Sequence, residues 1–168
     1  MNLTQTPEDK NIKVGQINTR YWTLGDNGSV AILLHGGGST VEIWTYNIGV
    51  LAHYHRVYAI DMVGAGLTDK PQAAYSLTYQ AQFLKEFMDT LGIDRASLIG
   101  SSMGGGTALQ FSLLFPERVE KLVLVNSFGL GKEIAIGLRL LALPFVGRLS
   151  RPTRKGAALV LRHNVYDR

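Results

Sequence analysis

Apolar and polar positions divide the chain into short runs of two kinds. Residues 30–34 (VAILL), 56–61 (RVYAID), 96–100 (ASLIG) and 119–125 (VEKLVLV) are short, largely apolar runs separated by glycine, proline and charged residues. They predict strands buried in a sheet covered on both faces. Residues 12–24 instead alternate around Ile17, Tyr21 and Leu24 and run into Gly25-Asp26-Asn27-Gly28, a strand followed by a turn. From Ser76 to Leu91 the period changes: Phe83, Leu84, Phe87, Met88 and Leu91 fall on one helical face, with Ser76 as N-cap and Gly92 as the stop. Met103 to Phe115 predicts a helix ended by Pro116, and Val41 to Leu51 another, despite Gly49 and its β-branched residues.

Strands alternating with helices predict an α/β fold, a parallel sheet with right-handed crossovers and helices on both faces. Ligands in such sheets sit at the carboxyl ends of the strands, and the loop Asp61-Met62-Val63-Gly64-Ala65-Gly66 lies at one of them. A chain of 168 residues with 46% apolar content can build one such core. The expected division is a core over residues 1–129 and a further segment over 130–168.

Composition narrows the chemistry. Without cysteine, disulfides, thiolate zinc sites and cysteine nucleophiles are excluded. Met1 to Lys10 lacks the basic-then-apolar pattern of a signal peptide, so a cytoplasmic location is expected. The apolar stretch Ile134 to Leu149 is interrupted by Arg139, Pro144 and Arg148 and falls short of the ~20 residues that cross a bilayer. The net charge of +4 comes from the end of the chain, where residues 130–168 hold 8 Lys/Arg against 2 Asp/Glu. Residues 1–129 hold 9 against 11, and no nucleic-acid partner is expected.

Gly100-Ser101-Ser102-Met103-Gly104 fits the pattern G-x-S-x-G. In a chain with 19 glycines, chance produces this pattern about one time in ten, so its weight rests on context. Here a buried strand turns directly into a helix, the tight elbow that lifts a serine hydroxyl above the sheet edge and makes Ser102 a candidate nucleophile. Gly104, Gly105 and Gly106 open that helix although each costs about 1 kcal/mol relative to alanine. Close helix-to-sheet approach explains them, whether for packing alone or for an elbow. At the same sheet edge His35-Gly36-Gly37-Gly38 follows the first buried strand. A glycine loop there turns a backbone N–H toward a developing oxyanion, and the N–H of Met103 supplies a second donor. Gly37 is the preferred first donor, with Gly36 and Gly38 as alternatives and a plain glycine turn as the competing explanation.

These segments, in order, resemble the signatures of the α/β-hydrolase fold family: His35-Gly36-Gly37-Gly38, then Asp61 to Asp69 (DMVGAGLTD), then Ile99 to Gly105 (IGSSMGG), then Phe115 to Val119 (FPERV). The resemblance covers about residues 15–168 and is strongest to meta-cleavage-product hydrolases and related serine esterases. It implies Ser102 as nucleophile, Gly37 and Met103 at the oxyanion-hole positions, and Thr68 where the family usually has serine. It implies a small-molecule substrate with a reactive carbonyl, either a carboxylic ester or a vinylogous diketone cleaved at a carbon–carbon bond, and no cofactor or metal. It also implies a helical lid after Val125, then strands bearing the triad acid and histidine. On this expectation the 168 residues are a C-terminally truncated form of the fold that ends within the lid.

Other readings of the same residues are weaker. Gly100 to Thr107 (GSSMGGGT) has Gly106 where a phosphate-binding loop needs lysine, and Gly64-Ala65-Gly66 lacks the third glycine of a dinucleotide site. His35 is expected to hold its loop rather than move protons, and His53 and His55 to be solvated. His163 and Asp167, four apart, would share a helical face and mimic a base and its orienting acid. Asp61 is expected to brace the loop after it. The basic, apolar segment from Ile134 fits a lid better than an anionic membrane surface. An unpaired strand edge would favour self-association, and a non-catalytic remnant that binds a ligand or partner is the alternative function.

Overall fold

The computed structural model describes residues 6–130. At its centre is β3 (Ser29–Leu34), whose residues from Val30 to Leu34 are all buried. It pairs in parallel with β4 (His55–Ile60) on one side and β5 (Ala96–Ser101) on the other, and β6 (Val119–Val125) lies parallel to β5. Two further strands extend the sheet beyond β4: β1 (Glu8–Val14) and β2 (Ile17–Leu24), in the order β1-β2-β4-β3-β5-β6. Both make antiparallel pairs, so the sheet is mostly parallel with an antiparallel flank.

That flank departs from the single strand expected over residues 12–24. Gly15, at φ +58°, turns the chain in a two-residue loop that pairs Val14 with Ile17. Glycine at the first loop position suits the twist of a hairpin.

Helices cover both faces. On one, α2 (Leu77–Thr90) and α3 (Met103–Leu114) bury Phe83, Leu84, Phe87, Ala108 and Phe111 against Ile32 and Leu34. Ser76 caps α2 by accepting the Tyr79 N–H at 3.2 Å, and Gly92 at φ +65° ends it. On the other face Val41, Trp44 and Ile48 pack on Leu33, Val57 and Ala59. The segment 41–51, expected as one helix, is a 3₁₀ turn (Val41–Trp44) followed by the four-residue α1 (Ile48–Leu51). The Thr45 hydroxyl donates to the Glu42 carbonyl at 2.7 Å, a local bond that competes with helix propagation, and the Val41 N–H is held by Asp61.

β6 is the last strand of the sheet among the described residues, and Val123 and Val125 are 46% and 47% exposed. No helix among the described residues is long and apolar enough to cross a membrane. The predicted lid from Gly131 onward, with His163 and Asp167, lies outside the described residues.

Candidate active site

β5 ends at Ser101 and α3 begins at Met103, leaving one residue to make the turn. That residue, Ser102, adopts φ +50° and ψ −114°. Such a conformation costs a non-glycine residue about 1–3 kcal/mol and persists only where its surroundings enforce it. Its side chain is exposed.

The glycines explain how the elbow closes. A Cβ on Gly100 would stand 2.5 Å from the Gly104 carbonyl oxygen, and a Cβ on Gly104 only 2.3 Å from that of Leu34. One on Gly105 would meet the Ser127 hydroxyl oxygen at 2.6 Å. The opening turn of α3 therefore presses its backbone directly onto the ends of β3 and β5, and no other residue fits. The helix penalty of Gly104 and Gly105 is offset by this approach.

The loop after β3 lies against the elbow. The Cβ direction of Gly36 points at the Cβ of Ser102, 3.3 Å away, and that of Gly37 at the Met103 side chain, 3.7 Å from its sulfur. Neither the Gly37 nor the Met103 N–H has an acceptor among the described residues. Gly38, at φ +71°, has nothing within 4 Å of its Cβ position. The structure thus brings together Ser102, Gly36, Gly37, Met103, Gly100 and Gly104, and sets Gly38 further out.

His35 is fully buried and both ring nitrogens are engaged. Nε2 accepts the Met62 N–H at 3.0 Å, so the proton is on Nδ1, which donates to the Gly36 carbonyl at 2.8 Å. The same carbonyl accepts the Ser39 N–H. Two donors on the Gly36 oxygen fix the plane of the 36–37 peptide, and the Gly37 N–H points the opposite way. His35 holds its loop, as expected, and has no lone pair left for a base.

Burial keeps the His35 pKa below its ordinary 6.5, against the opposing pull of the Gly36 carbonyl and the Asp61 charge. The unfolded chain therefore takes up this proton first as pH falls. The stability His35 contributes is complete above pH 6.5 and declines below it, at a slope of up to about 1.4 kcal/mol per pH unit. Urea midpoints measured from about pH 7 to 5 should fall in the wild type and flatten in His35→Gln, even though that variant starts lower. An unchanged slope would remove His35 as the cause.

Asp61, fully buried, is a brace. Its Oδ1 accepts the Val41 N–H at 2.8 Å, and its Oδ2 accepts the Leu67 N–H at 2.9 Å and the Arg20 guanidinium at 3.3 Å. Arg20 also pairs with Asp9 and Glu42, while its own N–H donates to the Thr68 hydroxyl at 2.9 Å. Thr68 makes this bond through the hydroxyl, the group that a serine would also supply. Arg20 carries no signal in the sequence: it occupies an ordinary polar slot in an alternating strand, and only the pairing of β2 with β4 brings it to Asp61.

His53 and His55 lie at the amino ends of the parallel strands, away from Ser102. His53 lines an open cleft of about 450 Å³ with Asp26 and Asn27, and the His55 ring bonds the Ser29 hydroxyl. Among the described residues no three His, Asp or Glu side chains gather to hold a metal ion.

Comparison with known proteins identifies the fold family. The sequence model of the α/β hydrolase fold matches residues 31–151. The 2-hydroxy-6-oxo-6-(2'-aminophenyl)hexa-2,4-dienoic acid hydrolase of Metapseudomonas resinovorans is 40% identical over 132 residues, 76% of this chain and 45% of its own length. The 2-hydroxy-6-oxo-2,4-heptadienoate hydrolase of Pseudomonas putida is 36% identical over 131 residues, 76% of this chain and 47% of its own. Among solved structures, a serine hydrolase involved in carbazole degradation superposes with a TM-score of 0.74 at 32% identity, covering 94% of this chain and 56% of that one. The chain spans less than half the length of the curated relatives it matches.

Proposed function

Because the chain belongs to the α/β-hydrolase fold family, we propose that it carries the nucleophile half of a serine hydrolase acting on small carbonyl compounds. The carrying observation is the exposed Ser102 at φ +50°, beside two backbone N–H groups, Gly37 and Met103, that have no acceptor among the described residues. In this reading the Ser102 oxygen attacks the substrate carbonyl, and the carbonyl oxygen gathers negative charge against those two donors. Each such donor is worth about 3 kcal/mol in the transition state. The α3 N-terminus adds its dipole to the same point. The relatives named as dienoic acid hydrolases favour a vinylogous diketone cleaved at a carbon–carbon bond, with carboxylic esters as the related class.

A general base must take the Ser102 proton, and neither His35, His53 nor His55 is placed to do so. We assign the acid and base of the triad to sequence beyond these 168 residues, since this fold orders them after the serine. An activated ester tests the assignment. With p-nitrophenyl acetate at alkaline pH, hydroxide takes the serine proton, nitrophenolate leaves, and without a base the acetyl ester stays on the enzyme. Mass spectrometry should find one acetyl group on the peptide bearing Ser102, none there in Ser102→Ala, and at most trace turnover. Steady turnover lost in Ser102→Ala would overturn the missing base and point to His163.

A second reading, a non-catalytic member that binds a partner along the sheet edge, is favoured by the exposure of Val123 and Val125 on β6. It takes over if a folded chain shows no acetylation of Ser102.

A further inference from the structure

The backbone of Ser102 is also held from the side of β6. The parallel ladder of β5 and β6 ends with Ser101 opposite Val125, yet the Ser102 N–H still donates to the Val125 carbonyl at 3.0 Å. On its other side the Ser102 carbonyl accepts two N–H groups, that of Gly106 in α3 at 3.1 Å and that of Phe128 at 2.9 Å. Residues 125 and 128 thus grip the two peptide groups flanking the strained serine. For one chain segment to reach both, it must reverse direction between them.

The reversal is made at Asn126, whose φ is +46°. Asparagine and glycine are the residues that enter this left-handed region at least cost, and β-branched residues the ones that resist it most. The Asn126 side chain is exposed and makes no hydrogen bond among the described residues, so its contribution runs through the backbone. Its neighbour Ser127 faces Gly105, where an added Cβ would stand 2.6 Å from the Ser127 hydroxyl oxygen.

We propose that Asn126 is a positioning residue for Ser102: its left-handed turn returns the Phe128 N–H to the Ser102 carbonyl and so enforces the elbow conformation that presents the hydroxyl. This rests on Ser102 being the nucleophile. Asn126→Gly keeps the turn, Asn126→Ala strains it, and Asn126→Val opposes it.

Amide hydrogen exchange read by fragmentation mass spectrometry measures the grip directly, without needing turnover. Asn126→Gly should keep the protection of the Ser102 and Phe128 amides within about twofold of wild type. Asn126→Val should lose about five- to thirtyfold there, the left-handed penalty of an ordinary residue, while amides of Leu33 and Leu84 are unchanged. If the valine variant does not fold, the alanine variant decides, with a loss of about fivefold against none in glycine. Equal protection in all three variants, or equal loss in Asn126→Gly and Asn126→Ala, would overturn the proposal. Ester acylation of Ser102 should slow in the same order. Failure of wild-type acylation with the exchange pattern intact would remove the nucleophile and leave the turn standing.

Discussion

Gly104→Ala should destabilise the fold by at least about 2 kcal/mol, reversing the usual gain of about 1 kcal/mol for alanine over glycine in a helix. The new Cβ would fall 2.3 Å from the carbonyl oxygen of Leu34 and 2.5 Å from that of His35, both backbone atoms of a central strand and its loop. Neither can rotate away, so α3 must lift and carry Ser102 with it. Thermal melts followed by circular dichroism should show the loss, and Ser102 acylation should fall beyond what unfolding explains. Gly106→Ala supplies the contrast, since its Cβ would stand 3.1 Å from the Phe128 carbonyl, a contact that a shift of a few tenths of an ångström relieves. Similar melting temperatures for the two variants would refute the rigid-contact account.

Asp61→Ala should cost about 3–5 kcal/mol by urea denaturation. The substitution leaves the buried Val41 N–H without its acceptor, at about 1–3 kcal/mol, releases the Leu67 N–H, which water can reach, and withdraws one partner from Arg20. Arg20 keeps Asp9 and Glu42, so the orphaned Val41 amide and the unfilled space weigh more than the ion pair. Asp61→Asn should recover only part, because one end of an amide accepts while the other presents donors to Leu67 and Arg20. Full recovery in Asp61→Asn would show that charge and acceptor count do not matter at this position.

The parts of the fold that were legible are those whose signal is local. The run from Val30 to Leu34 announces a central strand, and the Ser76 cap and the Phe83-to-Leu91 stripe announce α2 within a residue or two. G-x-S-x-G between a buried run and a helix announces the elbow. What stayed hidden depends on partners far away in the chain. β1 is exposed along most of its length and carries no core stripe, so its pairing with β2 does not show in the apolar pattern. The segment 41–51 has enough apolar residues for a helix, but its first N–H is committed to Asp61, twenty positions on. Arg20 and Asn126 look ordinary in isolation; one matters through a carboxylate on a neighbouring strand, the other through the handedness of a single turn.

The elbow at Ser102 draws its supports from the β3 loop, from α3 and from the segment after β6, three pieces scattered over most of the described chain. Bringing such distant pieces together is the slow, late part of assembly. Local structure such as α2 and the β1–β2 hairpin needs none of them. The strain at Ser102 can therefore be held only once all three are in place, and loosening any one of them releases it. A serine kept ready for reaction in this way makes the reactivity of one hydroxyl depend on the integrity of three separate stretches of the chain.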